Sequence, residues 1–372
     1  MKTPPAKERG VALIMVLLIV TLLMILVVEF TYTVQVESHI SRNSVNALQA
    51  TYLARSGINI LAGALLQDQD QQVDPGEEDP WRFFALGPCQ NILSNLESHQ
   101  ELPANWDLCG RIVDESSKVN VNFTKPPQRA QGAQPPTDCE PNNPNAIYLC
   151  WREVLAQLTT SGGADGVRLK EEIDLYWQSV QPVRLGQASQ AVAPEFGSLE
   201  EVAARMPLVA DRSVYERLRP VATAFVVARQ NQARLNINMV SPRVLESVLT
   251  TMGSSADAQE IISRRQEAPF KSIGDAFQGE NVAGLGRMFG TTSNLFRLEA
   301  SAAVNGVAKT VRALILREPA PPPRGAPPGT KGWRITYLDW QKESGAGAVR
   351  DAQAEGQDAG LEPDDSSDKD EN

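Results

Sequence analysis

RGVALIMVLLIVTLLMILVV, residues 9–28, decides how the rest of the chain is read. Val11 through Val28 are 18 residues without a charge, and Thr21 is the one polar side chain among them. Wound as a helix, that run spans ~27 Å, close to the hydrocarbon thickness of a bilayer. Lys2, Lys7 and Arg9 precede it, offset by Glu8, and Glu29 follows it. Basic residues ahead of such a helix hold the amino end in the cytoplasm. The bulk of the chain then lies on the other side of the membrane.

Three readings compete for this run. A cleaved secretory signal needs a shorter apolar stretch with small residues after it, and EFTYTV, which follows Val28, has none. A plain single-pass anchor is the simplest alternative. The third takes account of Gly10, set between the basic leader and the apolar run. That layout resembles type IV pilin-like proteins, in which a prepilin peptidase cuts after such a glycine. The resemblance implies a leader Met1–Gly10, a cut between Gly10 and Val11, and a mature chain that starts at Val11. Most such proteins place a glutamate at the fifth mature position, where it meets the amino terminus of a neighbouring subunit. Here that position is Met15, and one branch of the family typically lacks the glutamate.

The helix is predicted to run on beyond the apolar part. No proline occurs between Phe30 and Leu66, and the first glycine is Gly57. Val34, Val36, Ile40, Val45, Leu48, Tyr52, Ile58, Leu61 and Leu65 form an imperfect stripe of helical period. A helix from Val11 to Gln67 is ~85 Å long, with its first half suited to lipid and its second half to a globular head. Residues 68–80, DQDQQVDPGEEDP, read as a solvated loop rather than a cation site. A mixed helical region follows from Trp81 to Cys109, through ILSNLES. Residues 110–123, GRIVDESSKVNVNF, alternate as a strand pair with a turn at Glu115–Ser117.

Cys89, Cys109, Cys139 and Cys150 make no CxxC pair, and His39 and His99 stand at no metal spacing, which argues against zinc. Neither histidine lies in a nucleophile context, so no enzyme is predicted. Four cysteines on the oxidising side of a membrane point to disulfides. Three connectivities are possible, and nearest-neighbour pairing, Cys89–Cys109 and Cys139–Cys150, is the expectation. The net charge is −10, but residues 351–372 hold nine carboxylates against Lys369 alone. The remainder is almost neutral, and no strongly charged partner is implied for it.

Residues 125–145, KPPQRAQGAQPPTDCEPNNPN, form an irregular crossing before helical patterns at Trp151–Thr159 and Val167–Val180. Ser198–Met206 opens with a capping box, Ser198 to Glu201, and a helix over Asp211–Leu218 stops before Pro220. Lys118-Val-Asn-Val-Asn122 is echoed by Arg234-Leu-Asn-Ile-Asn238, a weak internal repeat. After the second copy, Ser241-Pro242 starts a helix with Val244, Leu245, Val248 and Leu249 as its buried stripe. A second helix follows over Ala256–Gln266, and FKSIGDAF, residues 270–277, opens a third. Residues 294–316, NLFRLEASAAVNGVAKTVRALIL, read as a hairpin turned at Asn305-Gly306.

These pieces, in this order, resemble the minor pseudopilin K family of type II secretion (GspK). The matching stretches are the amino terminus RGVALIMVLLIVTLLMILVVEF, SKVNVN, SLEEVAARMPLVADRSVYERLRP, ARLNINMVSPRVLESVL and SNLFRLEASAAVNGVAKTVRALILRE. They cover most of Arg9 to Glu318. The resemblance implies an α+β fold, in which a long N-terminal helix, membrane-spanning in its first half, lies on a pilin-like antiparallel sheet. All-α modules, SAM-like or helix-hairpin-helix-like, are inserted in that body. On this reading residues 1–10 are the leader, 11–67 the assembly helix, and 68–125 the first part of the pilin-like domain. Residues 126–230 and 231–289 are the two helical modules, 290–318 the closing hairpin, and 319–372 a Pro-rich, acidic, disordered tail, in which Trp333–Trp340 is the one stretch suited to packing. The implied partners are minor pseudopilins I and J, the inner-membrane secretion platform and prepilin peptidase. The implied location is the inner membrane, with the bulk in the periplasm.

The resemblance also implies a place at the tip of a short pseudopilus. In an ordinary subunit the glutamate neutralises a buried amino terminus, and an unpaired buried charge is costly. A subunit with no neighbour above it meets no such amine, so Met15 is tolerated there. Calcium is bound within the family, but IDLYWQSVQPVRLGQASQAVAPEF, residues 173–196, keeps Asp174 as its only acid before Glu195, and no calcium ligands are assigned. Two rivals remain. A type IV pilus minor pilin shares the first motif. A helix-hairpin-helix DNA binder is suggested by residues 235–277 with the thin basic cluster Arg264, Arg265, Lys271 and Arg287. Its hairpin, Met252-Gly-Ser-Ser255, lacks the second glycine that phosphate-binding hairpins use, which favours a structural module and no nucleic acid.

Overall fold

A single helix, α1 (Ala6–Leu66), carries the first 61 helical residues of the chain, ~90 Å at 1.5 Å per residue. The computed structural model describes residues 6–68, 72–76, 78–85, 87, 89–92, 103, 105–127, 136–159, 164–180, 195–225, 234–278, 282–321 and 332–344. From Val11 to Leu48 the large apolar side chains of α1 are exposed. From Ala50 onward one face is buried through Ala50, Ala54, Ile58, Leu61 and Leu65, the i, i+4, i+7 spacing of a helix laid on a core. Gly57 marks the closest approach. A Cβ there would lie 2.9 Å from Ala300 Cβ and 3.0 Å from Leu108 Cδ1.

The surface under α1 is a sheet assembled from both ends of the remaining chain. Its early part is the short α2 (Arg82–Ala85), β1 (Gln90–Asn91) and β2 (Trp106–Asp114). The chain then leaves the sheet for two helical units. The first contains β3 (Val119–Asn120), α3 (Ile147–Thr159), α4 (Ala164–Ser179), α5 (Leu199–Arg205), α6 (Pro207–Ala210), α7 (Arg212–Leu218) and β4 (Ala222–Thr223). The second contains β5 (Leu235–Asn236), α8 (Pro242–Met252), α9 (Ala258–Glu267), α10 (Ile273–Ala276), α11 (Val282–Met288) and β6 (Phe289–Gly290). The chain returns as β7 (Leu295–Val304), β8 (Val307–Ala320) and β9 (Gly332–Ser344). The sheet is antiparallel with order β1-β2-β7-β8-β9.

Two cores result. One lies between α1 and the sheet, around Trp81, Leu298, Ala300 and Ile315. The other is shared by the two helical units, which Arg243 also joins by donating to Leu158 O at 2.6 Å. The α+β class and the turn at Asn305-Gly306 stand as read from the sequence. Both turn residues have positive φ, 49° and 80°, as a two-residue hairpin requires.

Four expectations are corrected. The strand pair turned at Glu115–Ser117 is not a hairpin: Asp114 accepts from Ser116 N and caps a 3-10 turn, after which β3 pairs in parallel with β4. Val119 and Val121 therefore belong to the helical core and not to the pilin-like body. The loop at 68–80 is not a solvated turn, because Asp68, Asp74 and Asp79 are buried. The stretch from residue 319 is not wholly a disordered tail: β8 runs to Ala320, and Gly332–Ser344 adds an edge strand to the sheet. Ile335 packs that strand against the core under α1, and Trp333 ties it to the residue just past α1 by donating to Asp68 O. The predicted helix through ILSNLES lies for the most part outside the described residues, as does the acidic stretch 351–372.

Candidate functional site

Gly10 and Val11 lie within α1, and Val11 and Met15 are exposed. The apolar run between Val11 and Val28 is bare on every side, so its surface is matched only by lipid or by other apolar helices. By length and composition this helix can cross a membrane. The cysteines pair as Cys89–Cys109 and Cys139–Cys150. The first bridge ties the segment before β1 to β2, and the second ties the irregular crossing to α3.

The asparagine repeat has a structural counterpart in each unit. Asn120 Oδ1 accepts from Asn122 N, and Asn236 Oδ1 accepts from Asn238 N, both at 3.0 Å. The second asparagine of each pair clamps the backbone of a distant phenylalanine. Asn122 accepts from Phe196 N and donates to Phe196 O; Asn238 accepts from Phe270 N and donates to Phe270 O. Each phenylalanine stands two residues before a serine that caps a short helix: Ser198 accepts from Glu201 N, and Ser272 from Asp275 N. Each unit closes with a parallel strand pair, β3 with β4 and β5 with β6. The sequence signal for this, Phe-x-Ser with an acid three residues after the serine, recurs at 196–201 and 270–275. The signal lies 74 and 32 residues from the asparagines it serves, so nothing local in the chain ties the two motifs together.

Two charged joints fix these units to the sheet. On the face away from α1, Arg111, Glu299 and Arg312 stand in register across β2, β7 and β8. Burial alone would raise Glu299, but Arg297, Arg111 and Arg312 hold it below the usual carboxylate range. Glu115 next to them is buried too, yet Lys118 at 3.0 Å and Arg297 at 3.1 Å pull it down to about 2. Thr223 of β4 bonds to Glu115 and brings the first unit onto this patch.

The second joint is centred on Arg317 of β8, which is fully buried. Its guanidinium pairs with Asp68 at 2.5 Å and with Asp74, and donates to Ser293 O. It stacks 4.1 Å from the ring centroid of Trp333, with Phe296 at 4.9 Å and Trp81 at 5.7 Å. Trp333 in turn donates to Asp68 O, so β9 is fastened to the end of α1. Asn236 donates to Asp74 O and to Ser293 Oγ, which fastens the second helical unit at the same point. Burial raises Asp74 to about 8 against the opposing pull of Arg317, and raises Asp79 and Asp114 to about 7. Carboxylate oxygens of Asp68, Asp74 and Asp79 come within 4.8 Å of one another, and the cation they meet is Arg317.

The acids weighed for calcium are engaged elsewhere. Asp174 pairs with Arg152 at 2.5 Å and Glu195 with Lys125 at 3.0 Å, so the described part of that stretch does not fit a calcium ligand set. The basic cluster is turned inward in part: Arg265 donates to Ile237 O and Val240 O, and Arg264 to Ala276 O and Asp275 O. Burial lowers Arg265 to about 10.

A long helix, apolar and bare in its first half, is packed on an antiparallel sheet in its second. Residues 235–297 match the family model described as "Type II secretion system (T2SS), protein K". A chain of "The Crystal Structure of the GspK-GspI-GspJ complex from enterotoxigenic Escherichia coli Type 2 Secretion System" shares the fold, with a TM-score of 0.55 at 17% identity. The superposition covers 82% of this chain and 99% of that one. No curated protein sequence matches. The family match and the fold together support a minor pseudopilin of the GspK family.

Proposed function

We propose that this chain is the minor pseudopilin at the tip of a type II secretion pseudopilus. There it starts assembly together with pseudopilins I and J, and supports export of folded proteins from the periplasm across the outer membrane. The observation that carries this reading is α1: its bare apolar half extends away from a head enlarged by two helical units. A head of that breadth is hard to stack along a shaft and harmless at an end. Met15 agrees with an end position, since a subunit with no neighbour above it has no buried amine to neutralise. Processing between Gly10 and Val11, the inner-membrane location and the secretion platform as partner belong to the same proposal.

Co-expression with prepilin peptidase followed by intact-mass measurement tests it. Loss of Met1–Gly10 is expected, and an uncut chain returns the helix to a plain anchor. Co-purification with pseudopilins I and J then separates a tip subunit from a type IV minor pilin. DNA binding is the remaining alternative, and retention on DNA with a steep salt slope would favour it. The inward hydrogen bonds of Arg264 and Arg265 speak against it.

A further inference from the structure

The core under α1 and the core of the helical units have no residue in common. The chain passes between these two bodies twice, from β2 to β3 through residues 114–119 and from β6 to β7 through residues 290–295. The two crossings lie side by side. Ser116 Oγ accepts from Asn294 N at 3.2 Å and from Leu295 N at 3.1 Å, and Ser293 Oγ donates to Asp114. The bonds that bring residues 72–74 onto the second unit fall in the same place. Asp74 N donates to Thr291 O, Thr291 Oγ1 to Gln72 O, and Asn236 to Asp74 O. The 3-10 turn Glu115–Ser117 packs on both bodies, on β7 of the sheet and on β5 of the second unit.

Away from that line the bodies part. A crevice of about 110 Å³ separates the first unit from the sheet face that looks away from α1, with room for several waters. Glu200 and Arg219 line it on one side and Arg312, Leu314 and Asp339 on the other, over a floor of Glu115 and Lys118. Gly197, Glu200 and Asp339 at its rim are exposed. Charge closes it at the floor, where Arg297 reaches Glu115 at 3.1 Å. An interface of this polar kind leaves two bodies free to move against each other, as a large apolar one would not.

We propose that residues 114–119 and 290–295 form a hinge about which the helical units swing as one body on the sheet, opening and closing this crevice. Ser116 and Ser293 pin the two crossings together and so fix the axis. The ion pairs on the floor set the closed position. The helical units share one core and α1 shares another with the sheet, so each body moves whole and the broad part of the head yields without disturbing α1. The hinge belongs to the chain by itself and does not rest on its place in a pseudopilus.

Double electron–electron resonance on the full chain in detergent micelles tests the hinge, with nitroxides on cysteines introduced at exposed positions. The native cysteines are paired and take no label. Asp107→Cys with Glu260→Cys spans the hinge. Asp107→Cys with Thr336→Cys stays within the sheet, and Arg212→Cys with Glu260→Cys stays within the helical units. The spanning pair is expected to show a distance distribution about twofold wider, or more, than either control. Raising salt from about 0.05 M to about 1 M screens the charges of the crevice, and is expected to widen the spanning distribution alone. A spanning distribution as narrow as the controls, or one that salt leaves unchanged, overturns the proposal. Ser116→Ala removes a pin between the crossings and is expected to widen the spanning distribution at low salt while both controls keep theirs. An unchanged spanning distribution in that variant overturns the assignment of the axis.

Discussion

Arg317 and the two asparagine clamps are single residues on which much of the head depends. Replacing Arg317 with methionine keeps much of the volume but leaves buried Asp68 without its cation and Asp74 without its guanidinium donor. Breaking a buried pair from one side costs about 3–5 kcal/mol, so urea unfolding of Arg317→Met is expected to show a loss of that order. Asn238→Ala removes both bonds to the Phe270 backbone and leaves a buried amide and carbonyl unsatisfied. A loss of about 1–3 kcal/mol is expected by the same measurement. The asparagines were legible as a repeat, but their partners were not. Phe196 lies 74 residues from Asn122 and Phe270 lies 32 from Asn238, and nothing local links them. Arg317 was less legible still. In an alternating strand an arginine reads as a solvent-facing residue, and only the return of α1, β2 and β9 to one place buries it.

At the scale of elements, α1 and β9 show opposite cases. The period and length of α1 were plain in the sequence, and so was its division into an apolar half and a head-packed half. The fit of its second half depends on Gly57, where added side-chain atoms meet Ala300 and Leu108. Gly57→Val is therefore expected to lift the helix from the sheet at a cost of about 1–3 kcal/mol, seen as a lower midpoint in denaturant with the long helix retained by circular dichroism. The aromatic run Trp333–Trp340 marked β9 as a stretch that can pack, but a Pro-rich stretch precedes it and an acidic one follows, so composition pointed to disorder and not to an edge strand. Trp333 decides the matter by stacking on Arg317 and donating to Asp68 O. Trp333→Ala is expected to cost about 2 kcal/mol or more and to raise hydrogen exchange along β9 more than along β2.

The whole molecule should show these joints in its response to pH. Asp74, Asp79 and Asp114 have folded values above those of an unfolded chain, so the folded state holds their protons more tightly. Their contribution is complete below the unfolded carboxylate range and is lost as pH rises through about 7 to 8. Glu115 acts in the opposite sense: lowered to about 2, it stabilises above the usual carboxylate range and ceases to as pH falls toward 2. Thermal unfolding of the full chain in micelles is thus expected to peak in mildly acidic buffer and decline on both sides; a plateau up to pH 9 would contradict the assignment of the buried carboxylates. The sequence by itself determined the membrane-length helix, the α+β class, the closing turn at Asn305-Gly306 and the helix starts at Ser198 and Ser241. Those features follow from residue period, turn conformation and capping, which act within a few residues. Only the tertiary structure decided that Glu115–Ser117 divides two sheets, that Gly332–Ser344 is a strand, and that Asp68, Asp74, Asp79 and Asp114 share one arginine. Each of these rests on contacts between segments far apart in the chain, where burial and charge override what the local composition favours.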